Sequence, residues 1–318
     1  MVTTPLKIVI AGPHGSSGGL EIHTSELERF LVSQGHHVLR VNVINHNKLS
    51  HFPRDQIFIT NSPGFRGKLN KSIDWFLASL ACRKFAPDLL VSTAIGFGYT
   101  LLARLVGSRV FRIIQLVTDY PSNDAGMLRL VHAHNAVAAQ TALLKTQFML
   151  KISPNVPAHV LPCFHQIDSS IYQFKPNVTP LSQPRLAYFG RLVGNKGIPF
   201  LLDAWSRLDI LPLPSLDIWG SGELKAELDN IIRKSPLLSS CVTLKGPYPN
   251  GLEYVNILSS YNGLVLPSQS TEGLPLVLLE AASVGLPILT TRVGGIPDFA
   301  NSNPDVVMVE VGQDALRL

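Results

Sequence analysis

The sequence predicts an α/β protein with two domains, each an open parallel sheet covered by helices. Its 318 residues are 46% hydrophobic and 15% charged, which is more apolar material than one core usually organises. Short runs rich in Val and Ile alternate with longer segments of helical period, as in βαβ units. The alternation runs through the first half, breaks, and starts again at Arg185.

In the first half, strands are predicted at Ile8–Ala11, His37–Val43, Asp88–Ser92 and Phe111–Val117. A helix is predicted over Glu21–Gln34, where apolar residues recur with helical spacing and Gly35 suits a left-handed cap.

The break falls at Lys151–Gln183, which contains five prolines and few periodic residues. We therefore predict a first domain over 1–165, a linker over 166–183 and a second domain over 184–318. The second domain is predicted to have strands at Arg185–Phe189, Ser215–Trp219, Val242–Lys245, Leu264–Pro267 and Pro287–Thr290, and helices at Pro199–Arg207, Glu223–Lys234 and Pro275–Val284. Ligands of such sheets bind at the carboxyl ends of the strands, so chemistry is expected in a cleft between the domains.

The net charge of +5 and the pI near 9.1 favour an anionic partner: a nucleotide diphosphate, a lipid headgroup or a nucleic acid. Nucleic acid is disfavoured, because the basic residues form no long run and are not interleaved with solvent-facing aromatics. Three distant cysteines, Cys82, Cys163 and Cys241, indicate a reducing compartment. No apolar run approaches the roughly 18 residues of a membrane span, so a soluble, cytoplasmic protein is expected.

One stretch of the first domain suggests a peripheral membrane contact. Arg66, Lys68 and Lys71 precede the apolar residues Ile73, Trp75, Phe76 and Leu80. Basic residues beside an amphipathic apolar stretch can dock on anionic lipid. The alternative is a helix that faces the core and has a solvated end.

A glycine-rich segment, Gly12 to Gly19, follows the first strand and opens the first helix. Glycines there let backbone N–H groups and a helix N-terminus approach an anion closely. Glycines at 12, 15, 18 and 19 do not fit the dinucleotide pattern G-x-G-x-x-G. The segment is either an anion-binding loop or an ordinary strand-to-helix turn.

A second candidate loop, Phe189 to Gly197, follows the first strand of the second half. Arg191 and Lys196 lie there at the carboxyl end of a strand, where two cations can grip the oxygens of a diphosphate leaving group. The alternative is that both are merely solvated loop cations.

The segment Ser270 to Ala282, STEGLPLVLLEAA, is the strongest local signal. Glu280 lies mid-helix in a nearly continuous apolar run, where a carboxylate is costly unless something bonds it, and two vicinal ribose hydroxyls are suitable donors. Glu272 precedes the helix and can accept hydrogen bonds from the hydroxyls of a sugar, while Gly273 and Leu274 supply backbone N–H groups. The alternative is an exposed Glu280 on an amphipathic helix.

Together these segments resemble the retaining glycosyltransferases of the family-four, or group-one, type, which have the GT-B fold of two Rossmann-like domains facing a cleft. Five elements carry the resemblance, in order along nearly the whole chain: Gly18-Gly19, the segment Gly190 to Gly197, Gly220-Ser-Gly222, the pair Glu272 and Glu280, and the turn Val293 to Pro297.

The resemblance implies transfer of a sugar from a nucleotide donor, with UDP-sugar the commonest donor, usually without a metal. It places Arg191 and Lys196 on the diphosphate, Glu280 on the ribose and Glu272 on the sugar. The implied donor-binding positions also include Gly18, Gly19, Gly190, Gly222, Gly273 and Leu274. Many members have a His at the position that Thr118 occupies in this chain. The neighbouring Asp119 either replaces that His on the acceptor side or is a turn residue.

Relatives continue past Gly312 with further helices, so the resemblance predicts C-terminal helices that this sequence, ending at Leu318, does not contain. The expected activity is transfer to a lipid, glycan or small-molecule acceptor. The alternatives are an impaired, non-catalytic homologue and a nucleotide-sugar epimerase of the same fold.

Overall fold

The structure is a computed structural model that describes residues 4–13, 19–44, 56–60, 64–117, 125–152, 155–163, 184–210, 212–270 and 272–312; for 60 and 64–70 it describes the backbone. The chain divides into two compact units, Met1–Gln166 and Ile167–Leu318. The predicted linker, 166–183, lies outside the described residues.

Within the described residues, the first unit has seven parallel strands: β1 (Lys7–Pro13), β2 (His37–Ile44), β3 (Gln56–Thr60), β4 (Leu89–Ser92), β5 (Phe111–Leu116), β6 (Ala136–Ala139) and β7 (Ala158–Val160). They lie in the order β3-β2-β1-β4-β5-β6-β7. The helices between them are α1 (Gly19–Ser33), α2 (Gly64–Phe85), α3 (Phe97–Leu105), α4 (Ala125–His132) and α5 (Ala142–Lys151).

The second unit repeats this plan with six parallel strands in its described part: β8 (Arg185–Phe189), β9 (Ser215–Trp219), β10 (Val242–Gly246), β11 (Gly263–Leu266), β12 (Ile288–Thr291) and β13 (Val306–Val309). Their order is β10-β9-β8-β11-β12-β13. The helices are α6 (Ile198–Trp205), α7 (Lys225–Lys234), α8 (Pro236–Cys241), α9 (Leu252–Ser259), α10 (Leu276–Ser283) and α11 (Ile296–Ala300).

Strand β1 shows why an apolar run forms this kind of sheet. Successive side chains of a strand point to opposite faces, so an entirely apolar strand needs cover on both sides. Val9 and Ala11 pack in one hydrophobic cluster, and Ile8 and Ile10 pack in another with Leu27 of α1. The sheet is therefore buried on both faces, as the continuous apolar runs predicted.

The predicted fold class, two Rossmann-like α/β domains, is confirmed. Each predicted strand coincides with an observed one to within one or two residues at either end. The predicted helices over Glu21–Gln34, Pro199–Arg207, Glu223–Lys234 and Pro275–Val284 correspond to α1, α6, α7 and α10. The short strands β3, β6, β7 and β13 were not predicted.

Each sheet has one topological switch point, where consecutive strands depart in opposite directions. In the first unit it lies between β1 and β4, and in the second between β8 and β11. Loops that leave neighbouring strands there diverge and open a crevice at the carboxyl edge, which is the usual ligand site of such sheets. The loops after β8 and β11 contain Arg191, Lys196 and Glu272.

In the described part of the chain, none of the helices combines the length and the hydrophobicity needed to cross a membrane. Among the same residues, His, Cys, Asp and Glu side chains form no group of three or more suited to a metal ion.

A buried histidine links β4 to the segment after α4. His134 Nδ1 contacts the Leu130 carbonyl oxygen at 2.7 Å, and its Nε2 lies 3.0 Å from Ser92 Oγ. Since the carbonyl can only accept, Nδ1 carries the proton and the Ser92 hydroxyl donates to Nε2. Burial, reinforced by the charge of Arg112, lowers the pKa of His134 to about 4.

This histidine predicts a pH dependence of stability. His134 binds a proton near pH 6.5 in the unfolded chain but only near pH 4 in the folded chain. The free energy of unfolding should therefore fall as the pH drops between these values, by about 1.4 kcal/mol per pH unit. Urea unfolding followed by circular dichroism at several pH values measures the slope. His134→Gln should remove that part of the slope, whereas His159→Gln, at an exposed position, should retain it. Equal slopes in the two variants would contradict the assignment.

Candidate active site

Two loops at the switch point of the second sheet bring the predicted charges together. The loop after β8 ends in a 3-10 turn, Gly194–Lys196, and the loop after β11 leads through Glu272 to α10. Lys196 Nζ forms an ion pair with Glu272 Oε1, although 76 residues separate them in sequence. The Ser268 hydroxyl donates to the same carboxylate oxygen at 2.6 Å.

Both members of this ion pair are largely removed from water. The side chains of Lys196 and Glu272 are 13% and 9% exposed, and Ser268 is fully buried. A charge removed from water is costly unless it is paired and hydrogen-bonded, and here each charge supplies the partner of the other.

Backbone contacts hold the two loops in register. Gly197 has φ 68°, and a Cβ on it would overlap the Pro267 carbonyl oxygen. The Gln269 N–H donates to the Asn195 carbonyl at 2.8 Å. Because glycine adopts positive φ without a steric cost, the chain passes close enough here to place Lys196 beside Glu272.

The turn Val293 to Pro297 supports Glu272 from the other side. The Gly295 N–H donates to the carbonyl oxygens of Glu272 and Gly273 at 3.2 and 3.1 Å. Gly294, with φ 54°, lies so close to the Glu272 carbonyl that a Cβ would overlap it. The sequence contained this turn as part of the resemblance, and the structure supplies its physical role: it fixes the backbone from which Glu272 projects.

Arg191 lies one residue after Gly190 and is exposed. The Tyr188 hydroxyl donates to the Arg191 carbonyl at 2.8 Å, and the adjacent Leu192 exchanges backbone hydrogen bonds with Ser221 and Leu224. Gly222 packs directly on the Leu192 backbone, with no room for a Cβ. The Gly220-Ser-Gly222 loop therefore supports the segment that carries Arg191.

Glu280 is half-buried on α10, and the structure gives its carboxylate a partner that the sequence did not reveal. The Tyr254 hydroxyl, on α9, donates to Glu280 Oε2 at 2.8 Å. Burial and the Glu280 charge raise the pKa of Tyr248 to about 12 and hold that of Tyr254 well above its usual value, so both phenols stay protonated. Nothing in the local sequence signals Tyr254, because it lies 26 residues before Glu280.

Buried tyrosines lie close enough to these charged groups for the charges to affect their pKa. Burial, with the nearby charge of Glu272, raises the pKa of Tyr188, while Arg191 opposes that rise. The rings of Tyr248 and Tyr254 each lie 5.3 Å from the Phe189 ring. Phe189 ends β8, so the aromatic cluster joins the β8 loop to the partners of Glu280.

In the first unit, Gly12 lies near the end of β1, where a Cβ would overlap the hydroxyl of Thr93, and Gly19 is the first residue of α1. Thr93 Oγ1 also lies 3.2 Å from Thr24 Oγ1, which ties α1 to the end of β4. Gly18, Thr118 and Asp119 lie outside the described residues, so their predicted roles stay predictions.

The sequence comparisons agree with this arrangement. The sequence profile of the family described as Glycosyl transferases group 1 matches residues 183–316, which hold Arg191, Lys196, Glu272 and Glu280. The second unit, over residues 183–316, is therefore similar to the group 1 glycosyltransferases.

Among its relatives, the sulfoquinovosyl transferase of Arabidopsis thaliana is 34% identical over 117 residues, which cover 37% of this chain and 21% of that protein. An uncharacterized glycosyltransferase of Methanocaldococcus jannaschii is 34% identical over 237 residues, covering 66% of this chain and 56% of that one. The chain thus spans between about a fifth and about half of the length of these two relatives.

Solved structures show the same fold over nearly the whole chain. Anabaena HepE in complex with UDP superposes with a TM-score of 0.72 at 16% identity, covering 98% of this chain and 88% of that one. WaaG, a glycosyltransferase involved in lipopolysaccharide biosynthesis, gives 0.69 at 15% identity, with 97% and 88% covered. The GT-B fold is therefore established, and the identity of substrates is a separate question.

The Gly294 turn generates a prediction for stability. Gly294→Ala should lower the free energy of unfolding by about 2–5 kcal/mol, because a Cβ there is strained by the positive φ and also overlaps the Glu272 carbonyl. Gly35→Ala is the matched control, since Gly35 also has positive φ, 84°, but open space around it. Thermal unfolding of both variants measures the difference, and equal losses would show that the contact with Glu272 adds nothing.

Proposed function

We propose that this chain is a retaining glycosyltransferase that uses a UDP-sugar donor. The observation that carries the proposal is the charge arrangement at the switch point of the second sheet. Lys196 and Arg191 lie on the loop after β8, and Glu272 and Glu280 lie before and on α10. Two cations and two hydrogen-bonded carboxylates suit a ligand that has both a diphosphate and several hydroxyl groups.

Arg191 and Lys196 are proposed to bind the diphosphate and to stabilise its departure. Arg191 is exposed, so its guanidinium can reach phosphate oxygens, and Lys196 is held on the 3-10 turn of the same loop. As the bond between sugar and diphosphate breaks, negative charge grows on the leaving oxygens. Fixed cations at that position favour the transition state more than the bound donor.

Glu280 is proposed to accept hydrogen bonds from the ribose hydroxyls. The Tyr254 hydroxyl holds its Oε2 and fixes the orientation of the carboxylate on α10. A carboxylate whose position is already set loses little entropy on binding, which favours two vicinal hydroxyls over water.

Glu272, with the N–H groups of Gly273 and Leu274, is proposed to bind the hydroxyls of the transferred sugar. Binding would replace part of the Lys196–Glu272 pairing by contacts of Lys196 with phosphate and of Glu272 with hydroxyls, so neither buried charge is left without a partner. Gly18 and Gly19 are proposed to contact the diphosphate, and Asp119 to act on the acceptor side.

The HepE structures solved with UDP and with UDP and glucose support UDP as the nucleotide. Retention of the anomeric configuration rests on the resemblance of the whole motif set to retaining enzymes. We further propose that no metal is needed, because Arg191 and Lys196 supply the positive charge at the diphosphate. The acceptor is a lipid, a glycan or a small molecule.

A thermal-shift screen of UDP-, GDP- and ADP-sugars tests the donor, because a ligand that binds the folded state raises the unfolding temperature by mass action. Hydrolysis or transfer of the stabilising donor, with and without EDTA, tests turnover and metal independence. The anomeric configuration of the first product, read by NMR, tests retention. UDP-sugar binding without any turnover would instead identify a non-catalytic homologue, and isomerisation of the sugar without loss of the nucleotide an epimerase.

Glu280→Ala should weaken UDP binding about 10- to 100-fold, because it removes a charged acceptor of ribose hydrogen bonds. Glu280→Gln keeps an oxygen for Tyr254 and should still lose most of the affinity, which separates ligand contact from folding. Glu253→Ala, at an exposed position one residue before Tyr254, is the control. Isothermal titration with UDP makes the comparison, and unchanged affinity in both Glu280 variants would refute the ribose assignment.

Arg191→Ala and Lys196→Ala should each lower the rate of donor turnover by about 10²–10³, with a smaller effect on donor affinity, as expected for groups that stabilise developing charge. Lys225→Ala, an exposed lysine of α7, should leave the rate unchanged. Because Lys196→Ala also strips Glu272 of its ion-pair partner, the unfolding temperature is measured in parallel. Wild-type kcat in a folded Arg191→Ala variant would reject the proposed role.

A further inference from the structure

Helix α2 has apolar side chains on two opposite faces. Trp75, Ala78 and Cys82 are almost fully buried and pack into the core of the first unit. A second set recurs with the same three- and four-residue spacing on the other side of the helix, where each side chain is between 46% and 56% exposed. This set, Ile73, Phe76, Leu77 and Leu80, is the α2 stripe.

Of the apolar residues in the predicted membrane contact, Trp75 faces the core, whereas Ile73, Phe76 and Leu80 are exposed. One apolar face is enough to attach a helix to its sheet. Single exposed hydrophobic residues are common on proteins, but four in a continuous stripe are typical of an interaction surface.

The charge of α2 indicates what kind of surface would cover the stripe. Gly64–Phe85 contains five basic residues and one acidic residue, which gives a net charge of +4 in a chain whose total is +5. Lys84 lies one helical turn beyond Leu80 and is exposed, as is Arg83 beside it. Nearly the whole charge excess of the protein is therefore concentrated on the helix that exposes the stripe.

A cavity of about 320 Å³ adjoins the same helix. It is lined by Lys71, Ser72 and Trp75 of α2, by Val43, and by the segment from Ile95 to Tyr99. Gly98 allows this segment to lie against the Trp75 indole, since a Cβ there would overlap the ring. Phe97, which also lines the cavity, is 70% exposed.

We propose that the α2 stripe docks on an anionic lipid bilayer. Four apolar side chains can enter the headgroup region while the basic residues of α2 contact anionic headgroups, the combination by which interfacial helices bind membranes. A second copy of the chain fits less well, because a two-fold contact through this face would bring two helices of charge +4 together.

Docking does not depend on the transferase function. If that function holds, docking would hold the enzyme at the membrane surface, which suits an acceptor anchored in lipid. Vesicle binding and UDP binding are therefore measured on the same samples, so failure of one proposal is distinguishable from failure of the other.

The test is co-sedimentation with vesicles of phosphatidylcholine alone and with 30 mol% phosphatidylglycerol, a composition on the order of natural anionic membranes. The wild-type chain should partition onto the anionic vesicles, and I73S/F76S/L77S should bind them at least about tenfold more weakly. The matched control is F30S/V32S, which removes apolar side chains of similar exposure, 43% and 53%, from α1. UDP binding and the unfolding temperature should be unchanged in both variants.

Charge-reversal variants test the contribution of the basic residues. R83E/K84E should weaken binding to anionic vesicles by about tenfold or more, whereas R233E/K234E, an exposed basic pair on α7, should not. Absence of wild-type binding to anionic vesicles, or equal binding by the stripe variant, would overturn the proposal. So would a change from dimer to monomer in the stripe variant during analytical ultracentrifugation, because it would identify a second copy as the occupant of the stripe.

Discussion

The buried ion pair between Lys196 and Glu272 is the constraint around which the second unit is organised. Neither charge can be buried alone, so the loops after β8 and β11 must meet closely and in one register. Glycines at the contact points make this possible: Gly197 admits the Pro267 carbonyl, and Gly294 admits that of Glu272. The main role of these glycines is thus to let the loops approach closely enough to place the two charges. Flexibility of the turns is secondary.

The sequence was sufficient for those features that depend on local pattern. Continuous apolar strands such as β1 predict a sheet covered on both sides, and Pro275 followed by Gly285 predicts the short helix that carries Glu280. One strand that escaped prediction, β6, is weak in pattern: Ala136–Ala139 has few β-branched residues, although all four are buried. Pairing with β5 decides the conformation there, and pairing is not a local property.

The candidate site shows the same division between features that local sequence patterns predict and features that they do not. The charged residues that were predicted stand at motif positions in the sequence, whereas the partners that the structure gives them do not. Ser268, Tyr188 and Tyr254 are ordinary polar residues whose neighbours along the chain give no sign of a role. Helix α2 shows the same limit, since Trp75 and Phe76 are adjacent and apolar but packing sends one inward and the other to solvent.

The two carboxylates beside α10 differ in what holds them, and this difference bears on their division of labour. Glu272 is paired with a cation, so its charge is already neutralised and a ligand that approaches it must compete with Lys196. Glu280 receives a hydrogen bond from the neutral phenol of Tyr254, which orients the carboxylate but leaves its charge uncompensated by that partner. A group that binds through neutral hydroxyls suits Glu280, and a ligand that brings both an anion for Lys196 and hydroxyls for Glu272 suits the pair. A nucleotide diphosphate sugar has these three chemical features in one molecule, which is why it is the ligand that we propose.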